Sequence, residues 1–282
     1  MSEQLSPNEP AFSDMLLLLM TMVQAQAGRK IPEGQEWQHD RQTLAKKLAY
    51  HLHTIKAIGN GSMLVIDGVS APIVDHGSIK VLVRAILENY IVFAFIYGSA
   101  DPEESRFRHM TWKFAGLMDR QSRSQITGRF REKLAHEKQL ANDLKLEIEG
   151  SPFFLALTNK QRKALINGDW SAGKPWIELA DSVGLDRRYF RNIYGYLCDY
   201  SHSSYAAALQ VGDAKSIEDQ RDNSSSMFGV ANIVMAHFIV IYAKCFESAS
   251  ELLNQSSVKQ TVQTWHFTAE NFNSIYGTGS TP

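Results

Sequence analysis

The sequence predicts an all-α protein, a single helical bundle built around two central apolar helices. Three observations point there. Apolar residues recur at helical spacing along most of the chain, and strand-like alternation is nearly absent. The segments 79–97 and 227–246 are apolar almost all round, a pattern that only a central position satisfies. The chain is 282 residues with 44 % hydrophobic and 21 % charged residues, enough to bury a sizeable core and too apolar for wholesale disorder.

Helices are expected near 12–26, 37–57, 75–98, 102–122, 128–149, 176–183, 187–207 and 224–254. The run Met15 to Met20 followed by Ala25-Gln26-Ala27 imitates a signal peptide, but Glu3, Glu9 and Asp14 precede it and no Lys or Arg does. It reads as a buried amphipathic first helix capped by Ser13 or Asp14. Gly28, the pair Gly59 and Gly61, Gly98 and Gly150 punctuate helix ends. Asp101-Pro102-Glu103-Glu104 is a strong helix start, with a capping carboxylate, Pro at the first turn and acids on the dipole. The passage Met63 to Val69 reads as coil packed over the bundle, since a lone hairpin is marginal. The loop 168–175 lacks the spacing of a phosphate loop. Residues 1–277 read as one helical domain and 278–282 as a disordered tail.

Neither long apolar segment reads as a membrane span. The first carries Lys80, Arg84 and Glu88, the second Asn232, His237 and Lys244. A charge near a helix centre costs roughly 2.5–3.5 kcal/mol on insertion scales. With only Cys198 and Cys245, neither a disulfide framework nor a zinc cluster is expected, and the setting is read as reduced and cytoplasmic. No motif implies a cofactor or a metal: His-Glu-x-x-His, Cys-x-x-Cys and the Gly-x-Ser-x-Gly elbow are absent.

The polar residues of the apolar helices fall in order. Lys80, Arg84 and Glu88 step by four along one face, and Arg84 can pair directly with Glu88. Two readings stand side by side: a buried salt bridge fixing register, or a polar site lined by Arg84 and Glu88. Around His202 stand Tyr200, Ser201, Ser203, Ser204 and Tyr205, with Asp199 three residues earlier to orient the ring. A general base needs such an orienting partner. His237, Lys244 and Asn232 read as core groups hydrogen-bonded within the fold.

Arg84-x3-Glu88 on one helix and Tyr200-Ser201-His202 on another resemble a family of bacterial all-helical proteins of unknown function. The resemblance covers about residues 75–250, and it implies a shared polar site at Arg84, Glu88, Ser201 and His202. More distantly the chain resembles HEPN domains, helical modules that often act as metal-independent ribonucleases in toxin and phage-defence systems. Their Arg-x4-6-His signature is matched by Arg131 with His136 and by Arg129 with His136, on a highly charged segment that reads as solvated surface. His202 lies eleven residues from Arg191, outside that pattern.

A net charge of −1 excludes a globally basic nucleic-acid binder. Locally, residues 105–138 hold nine Lys or Arg against three acids, and Arg120, Arg123, Arg129 and Arg131 are the candidate RNA contacts. The resulting expectation is a HEPN-like protein of a bacterial defence or toxin-type system, a candidate metal-independent ribonuclease acting through Arg84, Glu88, His202, Ser201 and Asp199. The alternative is a non-catalytic helical scaffold. RNA, a second copy or another protein are the expected partners, and a membrane is not.

Overall fold

The computed structural model describes residues 8–123 and 128–276, and the tail expected at 278–282 lies outside them. Among the described residues the chain is all-α: fourteen α-helices and one two-stranded sheet. In order these are α1 (Asn8–Gln24), α2 (His39–Gly59), β1 (Ser62–Ile66), β2 (Val69–Ile73), α3 (His76–Tyr97), α4 (Pro102–Gln121) and α5 (Gly128–Gly150). The short α6 (Pro152–Leu155), α7 (Asn159–Ile166) and α8 (Trp176–Ser182) follow. Then come α9 (Arg187–Ser201), α10 (Tyr205–Asp213), α11 (Ile217–Cys245), α12 (Glu247–Gln255), α13 (Lys259–Trp265) and α14 (Ala269–Tyr276). They form two compact units, one from Met1–Phe93 with Gly184–Pro282, the other Ala94–Val183.

In the first unit α11 is the central element, packed by α1, α2, α12 and α13. Its 29 residues are long and apolar enough to cross a membrane, yet 78 % of its most apolar window is buried within the protein. The two apolar helices meet as the sequence predicts: Phe93 of α3 packs on Phe238 with ring centres 4.6 Å apart, and Tyr90 packs on His237. Gly59, the last residue of α2, has no side chain because none fits. A Cβ there would stand 2.5 Å from the Phe228 ring, which is itself edge-on to Phe12 of α1.

Several boundaries differ from expectation. Helix α1 begins by Asn8, so Ser13 and Asp14 lie inside it and cap nothing. Asn8 is tied to α11 instead, through Ser225 O and the Asn232 amide. The helix expected over 224–254 starts seven residues earlier, at a capping box in which Ser216 and Asp219 exchange bonds, and breaks at extended Phe246. The helix expected over 187–207 stops at Ser201: Ser203 takes a positive φ of 52°, and Ser204 caps α10 by accepting from Ala207 N.

Residues 62–73 are a hairpin, not coil over the bundle. Asp67 and Gly68 both have positive φ, 49° and 79°, the signature of a type I′ turn that matches strand twist. All five β1 residues are exposed. The Asp-Gly pair between two apolar runs is the local signal that outweighs the marginal stability of a lone hairpin.

The second unit packs α4 on α5. Phe107, Met110, Phe114 and Leu117 meet Ala141, Leu144 and Ile148, with Phe154 and Leu165 closing the core. The start of α4 is as expected: Asp101 accepts from Glu103 N at 2.9 Å with Pro102 in the first turn.

Candidate functional site

Helix α3 carries His76, Lys80, Arg84 and Glu88 at steps of four, so all four lie along one face. Opposite them stand aromatic residues of α9. At the outer end, Arg84 Nε donates to Glu88 Oε1 at 2.9 Å. Tyr194 donates its hydroxyl to the same carboxylate oxygen at 2.9 Å and lies 3.4 Å from Arg84 Nη2. The third nitrogen, Nη1, stands 3.5 Å from His202 Nε2. The Arg84 and Glu88 side chains are 20 % and 30 % exposed, so the pair expected to be buried is only half-buried. His202 is exposed.

At the inner end Lys80 is fully buried. Its ammonium donates to Tyr200 Oη at 2.8 Å, meets His76 Nδ1 at 3.0 Å and reaches Asn223 Oδ1 at 3.5 Å. It also lies 4.2 Å over the Tyr200 ring and 5.5 Å from that of Tyr196. Both tyrosine hydroxyls donate to Gln210 Oε1 of α10, at 2.6 and 3.0 Å. An ammonium has three donors, and three neutral acceptors surround this one.

These surroundings shift the titrations. Burial without a facing carboxylate lowers the Lys80 pKa from 10.5 to about 8. Burial and the Lys80 charge lower that of His76. Burial works against the Arg84 cation, but the hydrogen bonds it donates to Glu88 and Tyr194 outweigh it and raise its pKa. Burial and then the Glu88 charge push Tyr194 up to about 12. Tyr200 moves upward too, through burial first and then its neighbours Tyr196 and Asp199.

The five residues expected at the site fare differently. Arg84, Glu88 and His202 come together. Ser201 turns its hydroxyl back to Leu197 O at 3.3 Å. Asp199 makes no side-chain hydrogen bond to His202; its charge is felt by Tyr200. The end of α9 explains this, because His202 is already outside the helix, and spacing that holds within a helix stops applying there. Sequence reasoning put Lys80 in the stripe but not in the site, and it left out His76, Tyr194, Tyr196, Gln210 and Asn223. Continuing the four-residue step back from Lys80 would have found His76.

The basic segment lies in the second unit. Arg120 pairs with Glu137 at 3.0 Å, Arg123 with Asp119, Arg106 with Glu147, and Arg108 with Glu104 at 2.7 Å. Glu104 and Glu147 lie outside the window that showed the excess, so part of it is neutralised within the fold. Arg131 and His136 are both exposed on α5, and the side chain of Arg129 lies outside the described residues. Among the described residues no group of three or more His, Cys, Asp or Glu side chains is placed to hold a metal ion.

Residues 74–220 match the model of a family described as Family of unknown function (DUF5677). The match spans more than half of the chain, and the chain belongs to that family. It takes in the whole of α3, α9 and α10 and leaves the hairpin outside. No curated protein and no solved structure matches the chain.

Proposed function

We propose that this DUF5677 member is a HEPN-like, metal-independent ribonuclease of a bacterial defence or toxin-type system, working in the cytoplasm. The observation that carries the reading is the contact between exposed His202 and Arg84, whose guanidinium is held in place by Glu88 and Tyr194. His202 would take the proton of a ribose 2′-hydroxyl. The 2′-oxygen then attacks phosphorus, and Arg84 stabilises the charge on the phosphoryl oxygens. The 5′-oxygen leaves and takes a proton from water, giving a 2′,3′-cyclic phosphate and a 5′-hydroxyl end. Glu88 and Tyr194 are positioning residues, as is Lys80, which fixes Tyr200 on the same helix as Tyr194. Exposed basic residues of the second unit, such as Arg123 and Arg131, would supply a separate RNA contact.

A second reading, a helical scaffold, is favoured by one observation: every guanidinium nitrogen of Arg84 already has a partner inside the protein. One experiment separates the two. Purified wild type and His202→Ala are compared for cleavage of single-stranded RNA and for melting temperature. The enzyme reading expects cleavage lost by about a hundredfold or more with melting unchanged, because His202 is exposed and makes one long contact. Wild-type protein inert on RNA, with melting lowered in the variant, would establish the scaffold instead.

A further inference from the structure

We propose that β1 is a dimerisation edge: two copies join β1 to β1 antiparallel about a two-fold axis at Leu64, making one four-stranded sheet. The proposal is independent of the ribonuclease reading and rests on the hairpin alone.

The turn decides which backbone groups are free. In a two-residue type I′ hairpin the residues flanking the turn exchange hydrogen bonds, and bonded and non-bonded pairs alternate from there. Ile66 with Val69, Leu64 with Ala71 and Ser62 with Ile73 are thus the bonded pairs. Met63 and Val65 on β1, and Ser70 and Pro72 on β2, turn their backbone groups outward. The two outer edges are not equivalent. On β2 one of the two outward positions is Pro72, which has no N–H to donate. The chain after β2 is also tied to α11, where Val74 N donates to Gln220 Oε1 at 2.9 Å. On β1 both outward positions keep N–H and C=O, and no Pro or charged residue guards them.

The side chains agree. Met63 and Val65 are 60 % and 62 % exposed, Leu64 and Ile66 46 % and 59 %. Successive strand residues point to opposite faces, so the hairpin is apolar on both sides and the fold covers neither. Antiparallel pairing centred on Leu64 places Met63 against Val65 of the second copy twice. That closes four main-chain hydrogen bonds and sets apolar residues against apolar ones. It also puts the two Asp67 turns at opposite ends, so no like charges meet. The strand is its own complement, which a two-fold interface requires.

The same features disfavour a lipid surface. From Asn60 to Ile79 the chain has no Lys or Arg, and Asp67 and Asp75 are its only charges apart from His76. Edge pairing covers the strand edges and only part of these exposed side chains, so the interface falls short of the roughly 1,000 Å² that a stable specific interface needs. The dimer is therefore weak and concentration-dependent.

Sedimentation of the full chain from low micromolar to near-millimolar concentration tests this. Wild type should pass from monomer to dimer. Val65→Pro should stay monomeric throughout, since it removes an outward N–H and no bond of the hairpin. Ser70→Pro makes the same change on the other edge and should leave the dimer intact. Val65→Lys, which keeps the N–H but sets a charge at the edge, serves if the proline variant does not fold, and it too should be monomeric. A monomeric wild type at every concentration overturns the proposal. So does a dimer that Ser70→Pro breaks and Val65→Pro spares, or wild-type monomer that binds phosphatidylserine vesicles through this hairpin.

Discussion

Replacing Lys80 by Met removes a buried ammonium while keeping an unbranched chain of similar length. Lys80 is fully buried, and its pKa falls from 10.5 to about 8 on folding. Between those values the unfolded chain binds a proton that the folded chain does not, so stability must rise with pH there. A tenfold change in proton affinity is worth about 1.4 kcal/mol, which makes the full handicap of the lysine about 3 kcal/mol. It is complete below about pH 8 and gone above the unfolded value. Urea unfolding of wild type and Lys80→Met at neutral pH and at about pH 9.5 reads it directly, since other titrating groups cancel in the difference. The gap should move in favour of wild type by about 2 kcal/mol. A gap that does not change with pH would mean that His76, Tyr200 and Asn223 solvate the ammonium as well as water does, and burial would carry no handicap.

Arg84→Met and Glu88→Leu should each cost about 1 kcal/mol, with a coupling energy below about 1 kcal/mol in a double-mutant cycle, because the pair is partly solvated. Single losses of about 3–5 kcal/mol in urea titrations would instead mark a fully buried pair. His237 is held neutral, its pKa lowered to about 4 by burial first and by nearby His266 second. The unfolded chain therefore binds the extra proton below about pH 6.5, and stability should fall by up to about 3 kcal/mol as pH drops towards the folded value. His237→Gln, which can still donate to Phe267 O, should flatten the acid limb of a melting curve against pH. His237 is faced by Tyr90 and His266, and Lys244 adds its charge to His266.

How far the sequence could be read depends on whether the physics involved is local. The step of four that aligns Lys80, Arg84 and Glu88 is set by helix geometry, and the structure keeps it. The cap at Asp101 is equally local. The partners of Lys80 are not, because Tyr200 and Asn223 come from helices 120 and 143 residues away. No spacing rule connects such positions. Asp199 makes no hydrogen bond to His202 for a different reason: the rule that places it under His202 needs helix through residue 202, and Ser203 ends that helix in a left-handed turn. The hairpin is legible in Asp67-Gly68, where turn chemistry outweighs the marginal stability of an isolated hairpin.

The order of the two units along the chain has a consequence for how the molecule comes to be made. The unit Ala94–Val183 is continuous in sequence, whereas the other is assembled from segments on either side of it. On the ribosome α1, α2 and α3 emerge first, with the faces that α11 will cover still open to water. The continuous unit follows and can complete its core from near neighbours such as α4 and α5. Only when residues beyond Gly184 arrive can Lys80 meet Tyr200 and Asn223, and Arg84 meet His202. The polar cluster is therefore among the last contacts to close, and a chain interrupted before α9 carries only the half of it that α3 supplies.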